Sequence, residues 1–173
     1  HMDRDQAKSI VLFLGDNIYP DGMPPEKNSP DRRDAERSIR PALDLLNTTG
    51  TSGFFIPGNH DWRFGRKGLI AQESFVENSS TADSMIRFDP SGGCPGPVVR
   101  EMNVEWIMIL IDSEWWIARN EETYPLPEEC ATRTRDEMME SVEEIVGNHP
   151  DMNLLIATHH PLYSNGPHGG HFT

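Results

Sequence analysis

The stretch SIVLFLGDNIYPDG, residues 9–22, places a carboxylate directly behind an apolar run. The five apolar side chains from Ile10 to Leu14 are bounded by glycine, a pattern that favours a short and fully buried strand. Asp16 follows two residues later, although aspartate is a poor strand former and is costly to half-bury. We therefore expect a positive group to face Asp16.

Two more apolar runs end in the same way. The run from Phe54 to Ile56 leads into Asn59 and His60, and NLLIAT, residues 153–158, leads into His159 and His160. Sites in open α/β sheets form at the carboxyl ends of the strands. The three segments therefore predict that a carboxylate, an amide and an imidazole share one edge and face a cation.

Helix patterns alternate with these strands, which indicates the α/β class. Ser29 is a candidate N-cap for a helix within residues 28–47, and Pro41 is expected to kink or split that helix. Thr134 and Glu137 form a capping box that opens a later helix. A looser helix pattern covers residues 66–78, and the strongest strand pattern between residues 97 and 112 is EWIMILIDS.

Composition excludes some classes of function. The 173 residues carry a formal net charge of -13, and residues 100–146 hold thirteen acidic side chains against four basic ones. A protein that grips a nucleic-acid backbone would present a basic face instead. No apolar stretch approaches the roughly 20 residues of a membrane-spanning helix. His1 and Met2 resemble the remainder of an expression tag, so we assign the domain to residues 3–173 and leave export open.

The two cysteines, Cys94 and Cys130, are too few for a disulfide scaffold or a zinc ribbon. Both lie in stretches with a loop-like composition. One disulfide between two loops and two free thiols remain alternatives at this point.

The blocks GDNIYPDG, GNHD and THHPLYS, in this order, resemble the signature blocks of the calcineurin-like metallophosphoesterases. GDNIY matches the GDxxY form of the purple acid phosphatase branch, and GCPGP, IDSEWW and HHPLYSNGPHGGHF resemble a bacterial group within the family. The similarity covers nearly the whole chain. It implies a layered fold of sheets and helices, and metal-dependent hydrolysis of a small phosphorylated substrate.

The resemblance also implies roles for single residues. Asp16 would bridge two metal ions, and Asn59 and His159 would bind the second. Tyr19 would bind the first ion, with a half-buried packing residue as the alternative. His60 would protonate the leaving group. Carboxylate, amide and imidazole ligands suit Fe, Mn and Zn alike, so the identity of the metal stays open.

Four further side chains are candidates to contact substrate: Arg63, His160, His168 and His171. Each has a simpler alternative. Arg63 would be a solvated residue at a helix start, His160 a packed ring, and the two later histidines part of a polar surface loop rich in glycine.

Two blocks of the family pattern are absent. An aspartate block would lie before Ile10, and a Gly-His-x-His block would lie well beyond His159. We therefore expect a fragment truncated at both ends, in which the first and last motif strands are missing. The intact protein would hold two ions, whereas this chain would hold one weakly or none and show little activity.

Missing strands would leave sheet edges exposed, which favours a homo-dimer. The alternative function is a non-catalytic domain of the same fold that binds phosphate or another anionic ligand. Because such a domain has no need of a proton donor, His60 favours the enzyme.

Overall fold

The computed structural model describes residues 9–117 and 126–163. Within these ranges strands and helices alternate over the first half of the chain, as the sequence predicts, whereas three consecutive strands and then two helices precede the last strand. The strands are β1 (Ile10–Leu14), β2 (Ser52–Ile56), β3 (Ile86–Phe88), β4 (Val98–Glu101), β5 (Trp106–Leu110) and β6 (Asn153–Ala157), and the helices are α1 (Pro30–Thr49), α2 (Gly65–Glu77), α3 (Ser113–Ile117) and α4 (Arg135–Asn148).

The strands form two sheets of three. In the first sheet the order is β1-β2-β3 and all pairs are parallel, with Leu12 opposite Phe54. In the second sheet β5 lies in the middle, antiparallel to β4 and parallel to β6. The mixed α/β architecture confirms the predicted fold class.

Alternation along β2 places the first sheet between two cores, because successive strand side chains point to opposite faces. Phe55 packs with the buried stripe of α1 and with α2, in a core that includes Leu43 and Leu69. Phe54 and Ile56 pack on the opposite face, against β5 and β6 of the second sheet. The two sheets are therefore stacked, and the carboxyl ends of β1, β2 and β6 lie at one edge.

The helix ends are formed as the sequence predicts. The Ser29 side chain accepts from the Arg32 amide at the start of α1, and the Thr134–Glu137 capping box is complete at the start of α4. Pro41 lies inside α1, but the helix is continuous from Pro30 to Thr49, so the expected split is wrong. The proline ring is on the exposed side, where the missing amide hydrogen bond leaves no buried carbonyl.

The predicted complete burial of β1 and β6 is also wrong. Among the described residues both strands are edge strands, and Val11, Leu14 and Ile156 are 38%, 48% and 49% exposed. A continuous apolar run indicates burial of both faces only when strands lie on either side. The expected dimerisation through these edges remains a prediction.

Two features settle or add to what the sequence left open. Cys94 and Cys130 form a disulfide, so the alternative of two free thiols is wrong. The three-residue strand β3 was not predicted, because Ile86 and Phe88 flank the exposed Arg87 in too short a pattern. No helix among residues 9–117 and 126–163 is long and apolar enough to cross a membrane.

Candidate metal centre

Asp16 is presented by a tight turn at the end of β1. Its φ of 52° lies in the left-handed region, which is uncommon for a residue with a side chain, and it follows Gly15 at φ 88°. One carboxylate oxygen, Oδ1, accepts the backbone N–H of His60 at 3.0 Å. The strained turn therefore directs Asp16 toward the loop that follows β2.

His159 reaches the same place from the end of β6. Its Nδ1 atom lies 2.6 Å from the carbonyl oxygen of Leu14, an acceptor only, so Nδ1 carries the proton. In the neutral ring the Nε2 atom then presents its lone pair. That atom lies 3.2 Å from Oδ1 of Asn59 and 3.5 Å from Oδ1 of Asp16.

These atoms form an arrangement that fits a cation. Two oxygens and an imidazole lone pair facing one another repel unless a proton or a metal ion lies among them. Metal–ligand bonds of about 2.1 Å place neighbouring ligand atoms about 3.0–3.4 Å apart in octahedral or tetrahedral shells. The separations of 3.2 and 3.5 Å therefore suit ligands of one ion.

The three candidate ligands belong to different chemical types, and Asn59 supplies an amide oxygen. Within the described ranges no group of three or more His, Cys, Asp or Glu side chains is arranged to hold a metal ion. The candidate centre offers one carboxylate, one amide oxygen and one imidazole.

Two glycines allow the three loops to close on one another. A Cβ atom at Gly58 would lie 2.4 Å from Oδ1 of Asp16 and 2.9 Å from Cε1 of His159. A Cβ atom at Gly15 would lie 2.4 Å from Nδ1 of His159. Any side chain at either position would therefore occupy the space in which Asp16 and His159 meet.

His60 lies beside the candidate ligands and is oriented by main chain. Its Nδ1 atom hydrogen-bonds the carbonyl oxygen of Pro20, and its Nε2 atom lies 4.0 Å from Oδ2 of Asp16. The ring of Tyr19 packs on His60 with centroids 4.3 Å apart. Tyr19 is 70% exposed, and its described contact in this region is the one with the His60 ring.

His160 is half-buried, and its ring contacts that of the preceding His159 edge to face, with the two centroids 4.7 Å apart. The Ser113 hydroxyl accepts the backbone N–H of His160 at 2.9 Å and lies 3.0 Å from its Nδ1. The Nε2 atom of His160 lies 3.8 Å from Oε2 of Glu114. Burial, and then the neighbouring His159, lower the pKa of His160, while Asp16 opposes this shift.

Asp61 joins the loops that carry Asp16 and Asn59, and the sequence analysis assigned it no role. Its carboxylate is 0% exposed and accepts hydrogen bonds from Asn17, Ile18, Gly58 and Gln72. Burial raises the pKa of Asp61, and the hydrogen bonds oppose this shift. The GNHD block contains Asp61, but only the structure reveals its partners.

Asp112 is a second buried carboxylate, at the end of β5. It accepts from Nε1 of Trp62 at 2.7 Å and from the backbone N–H of Trp115 at 3.1 Å. Burial raises its pKa to about 7. Because Ser113 follows it and contacts His160, the end of β5 connects the GNHD loop with the histidine loop.

Of the remaining candidates, only Arg63 lies within the described residues. Arg63 is exposed on the short 3₁₀ helix Asp61–Phe64, and its backbone N–H donates to the carbonyl oxygen of His60 at 3.2 Å. His168 and His171 lie outside the described residues. The structure thus brings together Asp16, Asn59, His60, His159 and His160.

Comparisons with known proteins agree with the motif order along the chain. The family model of the calcineurin-like phosphoesterases matches residues 3–173. No curated protein and no solved structure matches the chain. The family match spans almost all of the sequence, including each strand end that contributes to the candidate centre. The chain therefore belongs to the calcineurin-like phosphoesterase family.

Proposed function

We propose that this protein hydrolyses a small phosphoester at a metal ion held by Asp16, Asn59 and His159. The observation that carries the proposal is the position of His159 Nε2, 3.2 Å from Asn59 Oδ1 and 3.5 Å from Asp16 Oδ1. Three segments far apart in the chain supply these atoms. Members of the family generally use divalent metal ions, in agreement with this donor set.

A bound divalent ion lowers the pKa of a coordinated water and draws the oxygens of a phosphate group toward it. The protein side chains supply the rest. Asp16 contributes the negative charge of the site, and the Leu14 carbonyl fixes the ring of His159 with Nε2 toward the ion. The net effect is a rigid, preorganised place for the phosphate group.

His60 is the proton donor in this proposal. The Pro20 carbonyl holds the proton on Nδ1, so that a second proton on Nε2 would lie near Asp16. A departing alkoxide would take that proton, and general acid catalysis of this kind contributes about 10²–10⁴ in rate.

The proposal for a second ion rests on the sequence pattern. Tyr19 and the second oxygen of Asp16 would be its ligands in a purple acid phosphatase-like centre. The described residues support one ion by their geometry, with Fe, Mn and Zn all compatible with the donor types.

The test combines metal binding with turnover. Titration calorimetry with Mn²⁺ and with Zn²⁺, followed by assays with p-nitrophenyl phosphate and bis-p-nitrophenyl phosphate, would compare the wild type with Asp16→Asn. Asp44→Asn, at an exposed position on α1, is the matched control. We expect Asp16→Asn alone to lose metal affinity and turnover.

Equal metal affinity in the wild type and Asp16→Asn would refute the proposed centre. Metal and phosphate binding without turnover of either ester would instead identify the non-catalytic binding domain.

A further inference from the structure

The Asp61 carboxylate is the point at which three separate segments are connected. Oδ1 accepts the backbone N–H of Asn17 at 3.1 Å and Nε2 of Gln72 at 2.9 Å. Oδ2 accepts Nδ2 of Asn17 at 3.2 Å and the backbone N–H of Gly58 at 2.8 Å. Both oxygens are therefore surrounded by donors, inside the protein.

These donors flank the candidate metal ligands without including them. Asn17 directly follows Asp16, and Gly58 directly precedes Asn59. The Asp61 side chain thus bonds both the loop after β1 and the loop after β2. The distance between Asp16 and Asn59 therefore depends on Asp61. We propose that Asp61 is the positioning residue that holds Asp16 and Asn59 at the separation that one metal ion requires.

The chemistry of the contact makes a carboxylate necessary. Asparagine has the same size as aspartate. Its NH₂ group would replace either Oδ1 or Oδ2, and at each of these positions it would face N–H donors instead of accepting from them. Asp61→Asn would therefore break at least two hydrogen bonds and leave buried donors without acceptors, with little change in volume. This inference rests on the proposed function in one respect only, namely that the group bound by Asp16 and Asn59 is a metal ion.

The first readout is the amide of His60, which donates to Asp16 Oδ1 at 3.0 Å and makes no bond to Asp61. Hydrogen exchange of this amide reports whether the loops after β1 and β2 keep their relative positions. In Asp61→Asn we expect its protection to fall at least tenfold relative to the amides of β5. The second readout is the dissociation constant for Mn²⁺, which we expect to rise about 10–100-fold, as for other groups that orient metal ligands.

The matched control is Asp89→Asn. Asp89 is 2% exposed and accepts from Nε and Nη2 of Arg100 at 3.0 and 2.7 Å, outside the candidate centre. A purely structural effect would appear in both variants alike, as a general loss of protection. If Asp61→Asn fails to fold, Asn17→Ala removes the Nδ2 hydrogen bonds to Asp61 and to the Ile56 carbonyl while the backbone N–H remains, and we expect a smaller loss of His60 protection in the same direction.

The outcomes separate this inference from the proposed function. Unchanged His60 protection and unchanged Mn²⁺ affinity in the folded Asp61 variant would overturn the positioning role, whether or not the protein is a hydrolase. Selective loss of His60 protection in a protein that binds no metal would support the positioning role and contradict the metal centre.

Discussion

The Nε2 atom of His159 lies 3.5 Å from Oδ1 of Asp16, and both residues follow edge strands of different sheets. The other ring nitrogen of His159 lies 2.6 Å from the carbonyl oxygen of Leu14, at the end of β1. One imidazole thus contacts the main chain of the first sheet and faces the carboxylate next to it. The candidate centre lies where the two sheets meet.

Replacement of His159 by alanine should remove one of the three ligand atoms. We expect His159→Ala to weaken Mn²⁺ binding at least tenfold in titration calorimetry, because two donors hold a divalent ion poorly. His149→Ala is the control, since Nδ1 of His149 also bonds a main-chain carbonyl, that of Ile145 at 2.7 Å. Similar Mn²⁺ affinities of the two variants would show that His159 has only a structural role.

Alanine at Gly58 should close the space between the ligand loops. Its Cβ would lie 2.5 Å from the backbone nitrogen of Asp16 and 2.4 Å from its Oδ1, so the turn must move. We expect destabilisation of about 1–3 kcal/mol in urea unfolding together with loss of metal binding.

Gly147→Ala is the matched control for this change. Gly147 lies inside α4, and a Cβ there would meet nothing within 4 Å. The control should therefore stabilise the protein by about 0.5–1 kcal/mol, because alanine favours the helix. Full metal affinity in Gly58→Ala would contradict the close approach of the loops.

The strand ends could be predicted because each apolar run is short, bounded, and followed by residues that do not belong in a strand. The position of each run within a sheet could not be predicted. Leu14 and Ile156 are as apolar as the buried Phe55, and only the pairing of strands decides which of them contacts solvent.

The ligand types could also be predicted, whereas the residues that hold them could not. Asp61 acts through donors on two loops and on α2, and their proximity is a property of the folded chain. The contacts of Asp112 with Trp62 and of Ser113 with His160 could not be predicted either, because each joins two distant segments. Sequence patterns report local chemistry, and these roles depend on contacts between distant segments.

Substitution of His60 should separate catalysis from metal binding. We expect His60→Asn to lower kcat for an alkyl phosphate, whose alkoxide leaving group needs a proton, about 10²–10⁴-fold while the dissociation constant for Mn²⁺ stays within about threefold. The physical reason is that the ring contributes a proton at Nε2, whereas its backbone N–H, which bonds Asp16, is retained. An equal loss of metal affinity and turnover would instead place His60 among the ligands.

Reduction of the disulfide should lower stability without changing the candidate centre. Cys94 and Cys130 are 36 residues apart, and closing a loop of this length stabilises a protein by about 2–4 kcal/mol. Urea unfolding with and without dithiothreitol would measure the loss, and the Cys94→Ala/Cys130→Ala variant should not respond to the reductant. Reductant sensitivity in that variant, or a loss of Mn²⁺ affinity on reduction, would be contrary to this expectation.

The buried carboxyl group of Asp112 should make stability depend on pH. Burial raises its pKa from the ordinary 3.8 to about 7, so between these values the folded protein binds a proton that the unfolded chain has released. This contribution is fully present below pH 4 and is lost as the pH rises to 7, by at most about 4 kcal/mol.

Urea unfolding at pH 5, 6, 7 and 8 would compare the wild type with Asp112→Asn, which cannot titrate. We expect the stability difference, wild type minus variant, to fall with rising pH up to about 7 and then to level off. A difference that stays constant or rises across this range would show that Asp112 is ionised throughout, with the two tryptophan donors outweighing its burial.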